Sequence, residues 1–284
     1  MSPPFSPRRS APALPPARSS IGIGTLFPVL LAALVSVSLT GCTEETPSGS
    51  QADPKQTQTL VFLDQSISTE EYTDAKALFA DSLRHIVQRD LRTPGDRLSL
   101  FLVHRKTLSK AHRVNLKNNV SPPQKKEFDD EQALEQARYR TETEQFLQRA
   151  TSRLQKVLES PPSTSAKWTD LWGTLGVAGT ELSDAADEHR LYYLSDMFES
   201  MPGPARRNFD RRPPQSRTQA RRWARADADT LDTFMILRRD RLQKAHVRVL
   251  LGTLATKPHA QDVKFYWRTL FQELGLAPRQ IDYN

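Results

Sequence analysis

The chain has 284 residues, with 40 lysines and arginines against 33 aspartates and glutamates, so its formal net charge is +7. Three of the arginines lie within the first eighteen residues, which leaves an excess of four positive charges for the remainder. This excess is too small to indicate a nucleic-acid-binding protein. The chain contains one cysteine, which excludes an internal disulfide.

The first 41 residues have the composition of an export signal. A proline-rich start with three arginines is followed by a largely apolar run over 21–39. That run leads into Leu-Thr-Gly-Cys at 39–42, which resembles the lipobox of bacterial lipoproteins. In such proteins a signal peptidase cuts before a cysteine that has been lipidated. We therefore predict a signal peptide at 1–41 and a lipid anchor on Cys42; the alternative is a transmembrane helix followed by a chance cysteine.

A polar segment separates the predicted anchor from the first apolar strand. Residues 42–57 contain Pro47, Gly49 and Pro54, so we expect them to form a flexible tether. A lipidated cysteine followed by such a tether predicts a protein held on a membrane of the bacterial cell envelope, on its extracytoplasmic side.

Residues 58–276 are predicted to form one α/β domain, with a C-terminal tail at 277–284. Short apolar runs predict strands at 59–63, 98–103, 112–116, 191–194 and 247–251. Helical spacing of apolar residues predicts helices at 69–93, 124–159, 170–187, 227–244 and 260–274, the second being one long helix or two shorter ones. Strands that alternate with helices predict a doubly wound, mainly parallel sheet with helices on both faces.

Two segments are predicted to be additions to this domain. Residues from about 120 to 162 are charged and rich in Glu, Gln, Ala and Arg, which predicts a helical insertion. Residues from about 203 to 225 contain eight arginines, which predicts a basic loop that leads into a helix. Such a loop is either a solvated surface or a contact with an acidic partner or anionic lipid. The candidate partner contacts are Trp168, Arg206, Arg207, Arg211 and Arg212.

Oxygen-bearing side chains follow two of the predicted strands. Asp64, Ser66 and Ser68 come directly after the first strand, and Asp196 follows the strand at 191–194. In open parallel sheets, ligands bind at the carboxyl ends of the strands, so acids far apart in sequence can share one site. Carboxylate and hydroxyl oxygens suit Mg²⁺, Mn²⁺ or Ca²⁺. The alternative is structural, because Asp, Ser and Thr also cap helices and stabilise turns.

Together these motifs resemble the von Willebrand factor A family. Its metal-ion-dependent adhesion site combines Asp-x-Ser-x-Ser after the first strand, a Thr before a helix, and an Asp after the fourth core strand. Here those positions are occupied by Asp64, Ser66, Ser68, Thr169 and Asp196. The resemblance implies that the serines and Thr169 bind the metal directly, that the aspartates supply charge directly or through water, and that a carboxylate of a partner protein completes the shell.

Three functions are consistent with these residues. The first is capture of an envelope or extracellular protein through Mg²⁺ or Mn²⁺, with Ca²⁺ as a further candidate ion. The second is a metal-free scaffold of the same fold, acting through the arginine-rich loop or the long helix. The third is magnesium-dependent phosphoryl transfer, as in the haloacid dehalogenase-like family, but the second acid that such enzymes need is replaced here by Ser66. We therefore expect a binding protein and not an enzyme.

Overall fold

One sheet of six strands forms the centre of the fold. The computed structural model describes residues 55–65, 69–105, 107, 114–160, 168–203, 205–234, 237–250 and 257–283, with the backbone alone for 69–74 and 234. The strands are β1 (Thr57–Asp64), β2 (Arg97–Val103), β3 (Val114–Lys117), β4 (Glu188–Leu194), β5 (Ala245–Leu250) and β6 (Ile281–Tyr283). The helices are α1 (Thr69–Asp90), α2 (Asp129–Glu159), α3 (Leu171–Glu181), α4 (Arg217–Phe234), α5 (Arg239–Leu242) and α6 (Ala260–Glu273).

The strand order is β3-β2-β1-β4-β5-β6, and every neighbouring pair except β2–β3 is parallel. The central strand β1 is buried along seven of its eight residues, which matches its apolar sequence. The more polar β3 pairs antiparallel with β2 at one edge of the sheet. The predicted α/β fold with a doubly wound, mainly parallel sheet is therefore confirmed.

Helices cover the two faces of the sheet and enclose two apolar cores. On one face, Phe79 of α1 and Leu154 of α2 pack in a cluster with Val61 and Leu63 of β1. The other face is covered by α3, α4 and α6, whose core contains the largest buried side chains: Trp172, Trp267, Tyr193 and Tyr266. Each buried Leu or Phe contributes about 1.5–3 kcal/mol, so these cores hold the helices, and with them the loops at the strand ends, in fixed positions.

The predicted insertion forms a single helix, α2, of 31 residues. Its buried residues lie from the middle of the helix to its C-terminal end, at the spacing of one helical face: Thr143, Leu147, Ala150, Leu154 and Leu158. In the first half, Leu134 is 73% exposed. The helix is therefore held against the domain by its C-terminal half.

Several predicted boundaries are wrong. The helix predicted at 170–187 ends at Glu181, and the helix predicted at 227–244 ends at Phe234. The fourth helix begins at Arg217, not at Asp227, so the last part of the predicted basic loop is helical. The helix extends this far because it has an apolar face, on which Ala220, Ala224 and Leu231 are fully buried. The sequence did not reveal this face, because its small residues alternate with arginines. The predicted C-terminal tail contains β6, whose Ile281 pairs with Val247 of β5.

The predicted signal peptide, Cys42 and most of the tether lie outside the described residues. Among the helices that the structure describes, none is both long enough and apolar enough to cross a membrane.

Candidate functional site

The winding of the chain reverses between β1 and β4. From β1 the chain passes through α1 to β2 on one side, whereas β4 lies on the other side of β1 and leads through α4 to β5. Such a reversal leaves a crevice outside the carboxyl ends of the two strands, where open α/β sheets bind ligands. Asp64 is the last residue of β1, and Asp196 lies two residues beyond the end of β4. Both predicted acids therefore lie at this crevice.

Asp64 is fully buried and is joined to the loop that follows β4. Its Oδ2 accepts a hydrogen bond from the hydroxyl of Ser195 at 2.7 Å. The Ser195 hydroxyl in turn accepts a hydrogen bond from the backbone N–H of Met197 at 2.9 Å. Because a buried carboxylate is costly without hydrogen bonds, Ser195 fixes Asp64 at the strand end.

Asp196 is engaged through both carboxylate oxygens. Its Oδ1 accepts the backbone N–H of Phe198 at 2.9 Å, and its Oδ2 accepts the ammonium of Lys257 at 2.7 Å. The side chain of Asp196 is 6% exposed and that of Lys257 is 23% exposed. The Lys257 Nζ also lies 5.3 Å from the centre of the Phe198 ring. The ammonium of Lys257 is thus bound to Asp196, which was predicted to be a metal ligand.

Thr169 is buried and lies on a loop tied to the segment after β4. Its backbone N–H donates to the hydroxyl of Ser200 at 2.8 Å, and its carbonyl accepts the backbone N–H of Ser200 at 3.1 Å. The next residue, Asp170, caps α3 by accepting the backbone N–H of Gly173 at 2.8 Å. A Cβ at Gly173 would lie 2.4 Å from Asp170 Oδ2, so a larger residue here would displace the capping carboxylate. The fold therefore brings the loops of Asp64, Thr169 and Asp196 to one edge of the sheet.

A buried carboxylate, Glu199, holds the start of α3 from the same loop. Its Oε2 accepts the backbone N–H groups of Leu171 at 2.7 Å and Trp172 at 3.2 Å. Burial raises the pKa of Glu199 to about 8, although the charge of Arg206 acts in the opposite direction. The Arg206 guanidinium pairs with Glu199 and with Asp170, the latter at 2.5 Å.

The predicted partner contacts fall into two groups. Arg206 also stacks over the ring of Trp172 at 4.9 Å, and Arg207 binds Asp227 through two hydrogen bonds of 2.6 and 2.7 Å. These two arginines therefore bind carboxylates of the domain itself, which the sequence prediction did not anticipate. The remaining predicted contacts keep accessible surface: Arg211 and Arg212 are exposed, and Trp168 is half-buried.

The donor atoms around the crevice partly fit a hard divalent cation. Asp64, Asp196 and Thr169 offer carboxylate and hydroxyl oxygens, whereas Ser66 and Ser68 lie outside the described residues. No group of three His, Cys, Asp or Glu side chains suited to a metal occurs in the described part of the chain. A cation here would therefore depend on hydroxyl ligands. It would also have to compete with Lys257 for Asp196.

Ser195, Glu199 and Lys257 were not predicted as site residues, and Arg206 was predicted only as a partner contact. Ser195 could have been suspected, since it follows the strand directly beside Asp196. Lys257 carries no sequence signal, because it lies 61 residues from its partner and lysines are usually solvated on protein surfaces.

No protein-family model matches the chain, and no curated protein matches it. Among solved structures, proximal thread matrix protein 1 from the mussel byssus aligns with 82% of this chain and 44% of its own, at 9% identity and a TM-score of 0.37. The pilus adhesin SpaC from Lactobacillus rhamnosus GG, in an open conformation, aligns with 82% of this chain and 28% of its own, at 10% identity and a TM-score of 0.39. The chain thus spans less than half the length of either protein.

Proposed function

We propose that the protein is a lipid-anchored binding protein of the bacterial cell envelope. It captures a partner protein at the carboxyl edge of its sheet through a divalent cation, as the motif resemblance to the von Willebrand factor A family implies. One observation carries the proposal: Asp64 and Asp196, 132 positions apart, are both buried at the crevice between β1 and β4. Two buried carboxylates at one edge favour a bound positive charge.

The assignment of ligands follows the donor chemistry. The ligands of Mg²⁺ or Mn²⁺ would be Asp64, Ser66, Ser68, Thr169 and Asp196. The hydrogen bond from Ser195 positions the carboxylate of Asp64. The bound cation supplies an open coordination position that an acidic side chain of the partner can fill. Because hydroxyl ligands are neutral, the bound cation keeps enough positive charge to attract that carboxylate. No step of bond making or breaking is needed, and the position two residues after Asp64, Ser66, lacks the acid that phosphoryl transfer would require.

A second function is favoured by the contact between Lys257 and Asp196. Here the lysine ammonium itself is the cation of the site, and the domain acts as a metal-free binding scaffold. The distance of 2.7 Å and the low exposure of Asp196 support this alternative. It predicts a site that does not respond to divalent cations.

Thermal denaturation with and without millimolar Mg²⁺ or Mn²⁺ tests the first function. We expect the cation to raise the melting temperature of the wild type, and the double substitution of Asp64→Ala with Ser66→Ala to abolish the rise. A wild-type melting curve that metal leaves unchanged would refute metal binding. Pull-down from envelope extracts, with and without a chelator, then reports whether partner capture depends on the cation.

A further inference from the structure

The stretch from 211 to 226 is the most basic part of the described surface. It contains six arginines and no acidic residue. All six of these side chains are exposed: Arg211, Arg212, Arg217, Arg221, Arg222 and Arg225. The stretch thus presents positive charge to solvent. In contrast, Arg206 and Arg207, just before it, bind carboxylates of the domain.

Three of the exposed arginines form a line along α4. Arg217, Arg221 and Arg225 are spaced four residues apart, so they lie one above the other on the same side of the helix; we call them the arginine stripe. The guanidinium groups of Arg217 and Arg221 lie 5.9 and 5.5 Å from the centre of the Phe265 ring on α6. Arg225 pairs with Glu273 of α6 at 2.9 Å. Helix α6 therefore supports the stripe along its length.

The ion pair with Glu273 accounts for Arg225 but not for the other arginines of this surface. Among the described residues, no carboxylate lies within ion-pairing distance of Arg217, Arg221 or Arg222. Stacking on an aromatic ring orders a guanidinium while leaving its N–H groups available to an external acceptor. The first turn of α4 contains no acidic residue, and positive charge there is unfavourable to the helix dipole. The arrangement therefore favours the binding of an external anion.

We propose that the arginine stripe and the neighbouring Arg222 bind the anionic phosphate headgroups of the membrane that carries the lipid anchor. The length of the chain favours a membrane over an acidic protein. Fourteen residues separate Cys42 from the start of β1 at Thr57. A flexible segment of that length spans roughly 20 Å on average and at most about 50 Å, so an anchored domain stays within reach of the lipid surface. Arginine binds phosphate oxygens through paired N–H donors.

The inference rests on the proposed lipid anchor, but it does not depend on whether a cation binds at the crevice, because these arginines lie on α4. The domain would lie with α4 towards the lipid, and the tether would keep the encounter intramolecular. Attraction to an anionic leaflet adds about fivefold in affinity per basic residue near the surface, and is screened by salt.

The test uses the full chain carrying Cys42→Ser, so that no acyl chain contributes. Its binding to phosphatidylcholine vesicles is compared with binding to vesicles that also contain phosphatidylglycerol, by co-sedimentation at low and high salt. We expect stronger binding to the anionic vesicles. Replacing Arg217, Arg221 and Arg222 together by Gln should weaken that binding about a hundredfold.

The matched control replaces three exposed arginines of α2, Arg140, Arg149 and Arg153, by Gln, which changes the net charge equally. The basic and apolar N-terminal segment is the same in both variants and cancels in the comparison. Circular dichroism checks that both fold. Equal loss of binding to the anionic vesicles in the two variants, or no loss in the variant of the stripe, would overturn the proposal. Capture of an acidic protein without a preference for anionic lipid would also overturn it.

Discussion

Replacement of Lys257 by Met removes the ammonium from the candidate site and keeps an unbranched side chain. The magnitude of the effect follows from the exposure of the pair. Exposed ion pairs contribute about 0–1 kcal/mol, and breaking a buried pair costs about 3–5 kcal/mol. With Asp196 6% exposed and Lys257 23% exposed, we expect the free energy of unfolding to fall by about 2 kcal/mol in metal-free buffer. Asp196 then keeps one hydrogen bond among the described residues, from Phe198.

The same change should strengthen the binding of a divalent cation. In the wild type the ion has to displace the ammonium from Asp196, and about 2 kcal/mol corresponds to about thirtyfold in affinity. Mg²⁺ at a hundred times its dissociation constant stabilises by about 2.7 kcal/mol, which would offset the loss. Titration calorimetry with Mg²⁺ and urea denaturation measure the two quantities. The matched control is Lys244→Met, an exposed lysine with no described ion pair.

The outcomes separate the two proposed functions. Binding to both proteins, tighter in the variant, supports a metal site that Lys257 weakens. Binding to the variant alone supports the metal-free scaffold, in which the lysine replaces the ion. If both bind Mg²⁺ equally, or the variant loses no stability, then the ammonium does not compete for Asp196 and the reasoning is refuted.

Two further predictions concern Glu199 and Cys42. Because burial raises the pKa of Glu199 to about 8 from an ordinary value of 4.5, the folded state holds a proton that the unfolded state has released between these values. The stability contribution is therefore present below pH 4.5 and is lost as the pH rises through 8, with a slope of up to about 1.4 kcal/mol per pH unit. Urea denaturation between pH 5 and pH 8 should show a shallower decline for Glu199→Gln than for the wild type, and equal slopes would contradict the assignment. Metabolic labelling with radioactive palmitate should label the wild type, whereas Cys42→Ser, which can be neither lipidated nor cleaved, should carry no label and keep the longer N-terminus. Two proteins of equal length, with no label on either, would instead support a transmembrane anchor.

Much of the fold could be predicted from the sequence, because buried apolar residues recur at the spacing of the helix or strand that contains them. The short apolar run at 60–63 indicated a buried strand, and the alternation of such runs with amphipathic helices implied the parallel sheet. This spacing did not identify the elements in which apolar residues are few or small. The apolar face of α4 consists mainly of alanines among arginines, and β6 has three residues, which gives no measurable period.

The sequence by itself determined which chemistry is available: oxygen ligands after the strands predicted at 59–63 and 191–194, a Thr before a helix, a cysteine after an apolar run, and an arginine-rich segment. The tertiary structure decided how that chemistry is used. It placed Ser195 against Asp64, gave Lys257 to Asp196, and divided the arginines between internal carboxylates and an exposed stripe over Phe265. Local patterns report burial and chain direction, because these depend on neighbours in sequence. The partner of a charge depends on residues brought together from 7 to 131 positions away, and only the folded chain specifies it.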